Sequence, residues 1–256
     1  MKSLNISSLV VIAIFILSGC GGNSSENKNK QTLSDTISVH DTGYTGIKKY
    51  TSGPNLIKEI TFKNGVREGL MRSFYAGGRV RQTFIYRNGL RADSSIWFYE
   101  EGQVFRTTLY KNDTMEGLQK QYYRTGKLKA KLMYKKGMRT PFLEEYTPDG
   151  KIVKGYPEVV VSIHDNYKTN STFSVTLSLS DKSAKVKFFR GYLTDGAFDT
   201  TRVARIKMFE GTGSLNLKKT SSAGPGYVGV IAEIITGFGN KNLVYKKITL
   251  PYKDLN

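Results

Sequence analysis

The chain has few of the side chains that most often carry out catalysis. Its 256 residues include one cysteine and two histidines. The single cysteine, Cys20, excludes a disulfide within the chain and a cysteine-based metal cluster. His40 lies in a polar segment and His164 ends a predicted strand, and neither occurs with a nucleophile elbow or with metal-ligand spacing. We therefore expect a binding protein and not an enzyme, with no cofactor and no metal.

Long hydrophobic runs are also scarce. Residues 9–17 are an apolar run of nine that follows Lys2. This run is too short to cross about 30 Å of hydrocarbon as a helix, so it is typical of a signal peptide. Leu17-Ser18-Gly19-Cys20 resembles the lipobox of bacterial lipoproteins. The resemblance implies a signal peptide over residues 1–19 and a mature Cys20 that carries about three acyl chains, which anchor it in the membrane. The alternative is an ordinary secretory signal with a chance cysteine.

Residues 20–43 have too little apolar content to form a core, so they predict a flexible tether. No acidic run follows Cys20, and Gly21 is not the aspartate associated with retention in the inner membrane. We therefore expect a lipoprotein of the bacterial cell envelope. The periplasmic face of the outer membrane is the favoured location.

Acidic residues are outnumbered by basic ones. The chain has 39 Lys and Arg against 21 Asp and Glu, a net charge of +18. Residues 44–155 hold 22 basic and 10 acidic residues, a net of +12, so most of the excess lies there. Such a field favours anionic partners, although a well-solvated basic surface without a specific partner would have the same composition. Nucleic acid is disfavoured by the export signal.

A 24-residue period runs through residues 44–154. Asn64-Gly65 and Asn88-Gly89 each end an apolar stretch and are typical of two-residue hairpin turns. The period therefore predicts stacked β-hairpins. The positions that keep the spacing are Phe62, Tyr86, Tyr110 and Tyr134; Phe74, Phe98, Tyr122 and Tyr146; Gly78, Gly102, Gly126 and Gly150; and Val80, Val104, Leu128 and Ile152.

The Tyr-x-Asn-Gly, Glu-Gly and Phe-Tyr-x-x-Gly elements of these units resemble the MORN family. The resemblance is to the variant repeat of bacterial proteins labelled YwqK-like antitoxin components. Glu68-Gly69 and Glu116-Gly117 match this pattern, whereas Ala92-Asp93 departs from it. The resemblance implies an elongated, twisted antiparallel sheet that serves as a binding or scaffolding module. The antitoxin label carries little weight, because a cytosolic toxin could not be reached from the envelope.

Side-chain alternation along the strands predicts which residues share a face of this sheet. Tyr75, Tyr99 and Tyr123 are expected on one face with Trp97, opposite the face that carries Leu70. Aromatic rings and cations on an open sheet could take a sugar, a peptide or an acidic strand. The same rings could instead be cross-strand pairs that hold a thin sheet together. The predicted partner-binding residues are Tyr75, Trp97, Tyr99, Tyr123, Arg81, Lys129 and Lys131.

The period stops after Gly155, and residues 156–256 contain about seven short alternating strands with turn-rich segments between them. This pattern predicts a β-sandwich, and its architecture resembles an immunoglobulin or fibronectin type III domain. The predicted fold class is therefore all-β: an antiparallel sheet of stacked hairpins over residues 44–154, followed by a sandwich.

The leading functional hypothesis is a lipid-anchored scaffold protein that recruits another envelope protein through its repeat sheet or its sandwich. One alternative is direct electrostatic binding to an anionic lipid or polysaccharide surface, which should weaken steeply with salt. Another is an antitoxin-like or immunity-like protein, which predicts a toxin encoded nearby.

Overall fold

The computed structural model describes residues 43–256. The predicted signal peptide, the lipidation site Cys20, His40 and the tether up to residue 42 lie outside the described residues. Within them, the regular elements are β-strands apart from one four-residue helix, α1 (Tyr167–Asn170). The predicted all-β fold class is confirmed.

Nine strands form one antiparallel sheet in chain order, each paired with the next. Because every connection is a hairpin, each strand pairs only with the strands that come directly before and after it in the sequence. The sheet of stacked hairpins predicted from the 24-residue period is therefore confirmed. The strands are β1 (Gly46–Ser52), β2 (Asn55–Lys63), β3 (Val66–Phe74), β4 (Val80–Arg87), β5 (Leu90–Phe98), β6 (Val104–Lys111), β7 (Thr114–Tyr122), β8 (Leu128–Lys135) and β9 (Met138–Glu145).

The hairpin turns that follow the even-numbered strands β2 to β8 have two residues with positive φ. Positive φ at both central positions is the type I′ turn, whose twist matches that of the flanking strands. The last two turns keep this geometry although their sequences drift from Asn-Gly, so the sheet imposes it. The four pairs are Asn64 (φ 51°) and Gly65 (76°), Asn88 (49°) and Gly89 (82°), Asn112 (48°) and Asp113 (64°), and Lys136 (50°) and Gly137 (78°).

A β-bulge explains the Glu-Gly element of the repeat. Gly69 and Gly117 have φ of 92° and 97° where the register of the strand pair shifts. The departing residue of the second unit, Asp93, occupies the same place with a φ of 57°. The glutamate before each glycine then turns towards the next hairpin, and Glu68 accepts a hydrogen bond of 2.7 Å from the backbone N–H of Asn88.

Two four-stranded sheets follow, with strand orders β10-β11-β15-β14 and β13-β12-β16-β17. Their facing side chains, including Phe173, Leu177, Phe188 and Val230, form one buried core. This arrangement is the predicted β-sandwich. The strands are β10 (Val159–Asn166), β11 (Thr172–Leu179), β12 (Val186–Arg190), β13 (Ala204–Arg205), β14 (Met208–Phe209), β15 (Thr212–Lys218), β16 (Tyr227–Ile235) and β17 (Lys241–Thr249).

Candidate functional site

One face of the repeat sheet carries a continuous row of side chains that runs across the strands. Each member is the direct cross-strand partner of the next, so all of them lie on the same face. We call the first six members, from β2 to β7, the polar row. The row consists of Lys58, Ser73, Gln82, Trp97, Arg106 and Gln121, and it continues through Ala130 to Glu145.

A second row lies beside it on the same face. Its central members are Ser95, Thr108 and Gln119, which are at most 4% exposed. They bond to one another: the Gln119 amide donates to the Thr108 hydroxyl at 3.1 Å, and the Ser95 hydroxyl donates to the Thr108 carbonyl at 3.4 Å. The middle of this face is therefore polar although much of it is buried.

Tyr75, Tyr99 and Tyr123 form a ladder between successive repeats. Each hydroxyl donates to a backbone carbonyl 23 residues further along, at 2.6, 2.8 and 2.6 Å. Burial raises the pKa of Tyr123, and the nearby negative charge of Glu145 adds to this. The three hydroxyls are thus committed to the fold, and only the ring surfaces of this ladder are free to meet a partner.

Arginine side chains connect the ladder to the polar row. The Arg106 guanidinium lies 4.8 Å from the Trp97 ring and 5.7 Å from the Phe105 ring. Phe105 meets Tyr99 edge to face at 5.1 Å, and Arg124 lies 4.6 Å from the Tyr99 ring. The result is a continuous run of cations and rings, in which both cation–π and ring–ring contacts are attractive.

The three cations predicted to bind a partner do not lie together. Lys129 is 5.9 Å from the Tyr123 ring of the ladder, and Arg81 is exposed at the start of β4. Lys131 lies on the opposite face, where it forms an ion pair of 2.8 Å with Glu144. Hydrogen bonds with Glu144 and Tyr146 raise the pKa of Lys131, and the bond from Lys131 lowers that of Glu144. The predicted residues therefore divide between both faces, and their role in partner binding stays a prediction.

The opposite face carries a largely apolar stripe, in which Thr61 and Ser94 are the two polar members, that runs across the sheet from β1 to β9. Ile47, Leu70, Leu109 and Phe142 are 52%, 39%, 43% and 40% exposed. Leu70 pairs directly with Ile85 across the strands. At about 4.8 Å per strand the stripe spans roughly 38 Å. Its side chains are Ile47, Thr61, Leu70, Ile85, Ser94, Leu109, Leu118, Met133 and Phe142.

The end of the repeat sheet is joined to the sandwich through Glu145, a role that sequence reasoning missed. Glu145 is fully buried. Its carboxylate accepts hydrogen bonds from Thr236 at 2.8 Å, Asn240 at 2.7 Å and Tyr156 at 3.0 Å. Burial, together with the bond to Glu145, raises the pKa of Tyr156. In the sequence Glu145 is indistinguishable from the partly exposed Glu144 beside it, and only its place at the end of the row could have marked it.

One cavity lies in the sandwich and another at its junction with the repeat sheet. One of about 490 Å³ is lined by Arg190, Tyr192, Arg202 and Tyr227. The other, of about 420 Å³, lies at the junction of the repeat sheet with the sandwich and is lined in part by Arg139.

Within residues 43–256, no group of acidic, histidine or cysteine side chains could hold a metal ion. In that same range no helix has the length and apolarity needed to cross a bilayer.

The family model described as the MORN repeat variant matches residues 94–112 and 115–136. These stretches cover the end of β5 and the strands β6, β7 and β8, which carry Trp97, Arg106 and Gln121. The predicted MORN-variant repeat is therefore confirmed in these two units. None of the curated proteins matches the chain.

Proposed function

We propose that this protein is a lipid-anchored scaffold of the bacterial cell envelope that recruits another envelope protein through its repeat sheet, acting by binding and not by catalysis. The observation that carries the proposal is the apolar stripe. Exposed apolar surface that is contiguous, and not scattered singly, marks interaction sites on soluble proteins. Leu70, Leu109 and Phe142 remain about two-fifths exposed, at 39%, 43% and 40%.

The side chains beside the stripe favour a partner with an acidic rim. Lys120 is exposed in the adjacent row, and none of the described carboxylates pairs with it. Arg72 and Lys131 lie in the same row, each paired with one glutamate. Cations at the edge of an apolar patch speed association with an acidic partner and restrict its orientation.

The attachment of the repeat sheet to the sandwich supports a scaffold role. The buried bonds of Glu145 fix the last strand to the turn after β16, so a protein bound to the stripe would be held rigidly relative to the sandwich. We further propose that residues 156–256 are an immunoglobulin-like domain. The pairing of β10-β11-β15-β14 against β13-β12-β16-β17 supports this. Membership of the YwqK-like group is part of the same proposal and rests on the repeat pattern.

The test is capture of envelope proteins by residues 39–256, which form one compact unit, followed by washes at physiological and at several-fold higher salt. A discrete protein that stays bound at high salt, and is lost in a Leu109→Ser, Phe142→Ser variant, is the expected result. The matched control is Phe209→Ser in the sandwich, which removes a ring that is 76% exposed. Equal loss in the control variant would refute a role for the stripe.

The anchor is tested separately. Metabolic labelling with palmitate should mark the wild-type protein in the membrane fraction, and Cys20→Ser should abolish both the label and the membrane association. Membrane association that survives Cys20→Ser would remove lipidation from the proposal without touching the stripe.

A further inference from the structure

The repeats provide an internal comparison for the polar middle of the sheet. Residues 24 positions apart occupy equivalent places, so they face similar constraints from the fold. Ser95 and Gln119 occupy the position that is Met71 in the unit before them and Leu143 in the unit after them. Thr108 likewise occupies the position that is Phe84 in the preceding unit and Leu132 in the following one. The fold thus accepts apolar side chains at these places. Burial of polar groups contributes less to stability than burial of apolar ones, so their presence in the middle repeats calls for another reason.

The polar row next to them has hydrogen-bond donors without partners. The Ser73 hydroxyl is buried, with the residue 7% exposed, and neither it nor the Arg106 Nε has an acceptor among the described residues. Buried polar groups are nearly always paired, so each exception needs an explanation. Two unpaired donors on one row, separated only by Gln82 and Trp97, point to acceptor atoms supplied from outside the chain.

The row is also positively charged. Lys58 and Arg106 form no ion pair with any carboxylate in the described part of the chain; instead Lys58 lies 5.1 Å from the Tyr50 ring and Arg106 lies 4.8 Å from the Trp97 ring. The only carboxylate in line with the row, Glu145, is occupied by its three donors at the junction. A ligand on this row therefore meets cations and donors but no competing anion.

We propose that the polar row is a binding site for an extended acidic polysaccharide, lying on the face opposite the stripe and separate from the proposed protein site. From Lys58 to Gln121 the row crosses five strand spacings, about 24 Å. Trp97 offers a ring against which a sugar packs, Arg106 pairs with a carboxylate, and the amide of Gln121 bonds to hydroxyls. Lys58, Trp97, Arg106 and Gln121 are half-buried and form the accessible part of the row, whereas Ser73 and Gln82 are buried beneath the surface.

A peptide fits this surface less well than a polysaccharide. Strands β2 to β7 are paired on both sides, so their backbone groups are already satisfied and cannot bind a peptide as an added strand. A peptide lying on the face would find partners for its own N–H and C=O groups only among side chains. A sugar chain presents hydroxyls and carboxylates along its length, and those match the groups of the row.

The experiment measures binding of an oligogalacturonate hexamer to residues 39–256 by calorimetry, with its methyl ester as neutral counterpart and a hexaglutamate peptide as second acidic probe. The hexamer should bind, and Arg106→Gln should weaken it about tenfold to a hundredfold, the effect of one charge-assisted hydrogen bond. Trp97→Leu should weaken the acid and the ester together. Arg205→Gln, an exposed arginine in the sandwich, is the matched control and should change nothing.

Several results would overturn the proposal. Absence of hexamer binding, or equal loss in Arg205→Gln, would leave only a diffuse charge effect. Hexaglutamate binding that matches the hexamer and depends equally on Arg106 would make the row a peptide site. Thermal melting of each variant separates loss of the site from loss of the fold. None of these results bears on the capture of a protein by the stripe, which lies on the opposite face.

Discussion

Replacing Glu145 by alanine should loosen the attachment of the repeat sheet to the sandwich. Its buried carboxylate accepts three hydrogen bonds, from Thr236, Asn240 and Tyr156. Removing the carboxylate leaves three donors without their acceptor, at about 1–3 kcal/mol for each that stays buried, so we expect a loss of about 3–5 kcal/mol. For a unit of this size each kcal/mol lowers the melting temperature by about 2–4 °C. We therefore expect Glu145→Ala to melt on the order of 10 °C below the wild type.

The neighbouring residue provides the control. Glu144 is a carboxylate of the same size on the opposite face, partly exposed and paired with Lys131, so Glu144→Ala should change stability far less. Glu145→Gln should fall between the two, because the amide oxygen still accepts while the charge is lost. The assay is thermal unfolding followed by circular dichroism. A Glu145→Ala protein that melts within about 3 °C of the wild type, or together with Glu144→Ala, would refute the assignment.

Three further outcomes are expected. Gly117→Ala should destabilise the protein by about 1–2 kcal/mol in urea unfolding, because φ of 97° disfavours a side chain there, whereas Gly77→Ala, with open space around it, should be neutral. Tyr123→Phe should cost about 0.5–1.5 kcal/mol by leaving a carbonyl of the next repeat unpaired, and no cost would mean that the ladder is incidental. Burial opposes ionisation of Asp113, but hydrogen bonds from Arg91 outweigh it and lower its pKa. The stability that Asp113 contributes is thus present above its unfolded pKa and is lost as pH falls through the lower folded value, so wild type and Asp113→Asn should converge in acid melts.

The sheet was predictable because its turns depend on local chemistry. Asn-Gly favours positive φ at both turn positions, and a fixed spacing repeats the hairpin in register. The bulges were not predicted as such, although the Glu-Gly element of the sequence marks them. Gly69 and Gly117 have positive φ, and Asp93 adopts it in their place, so a break in the Glu-Gly pattern marked a strained position and not a missing hairpin.

The candidate site was predictable only in part. Alternation anticipated that Trp97 and the tyrosine ladder lie on one face, and the pKa of Tyr123, raised by burial and by the nearby negative charge of Glu145, agrees with this. It did not separate Lys129 from Lys131, because a register shift interrupts the strand pair next to Lys129. The junction could not be predicted from the sequence, since two partners of Glu145, Thr236 and Asn240, lie 91 and 95 residues away from it. No local pattern encodes such distant pairings.

The two faces of the sheet also constrain which variants can test it. Polar side chains in the middle of one face weaken the packing there, and apolar cross-strand pairs on the reverse of the same strands offset that loss. Leu70 pairs with Ile85 and therefore supports the sheet, whether or not it meets a partner. Leu109 is paired with Ser94 on β5 and its side chain lies beside Gly117 on β7, so its removal breaks no direct apolar cross-strand pair of the kind that joins Leu70 to Ile85. A binding defect in Leu109→Ser with normal melting is consequently evidence for recognition, whereas the same defect in a Leu70 variant would be ambiguous.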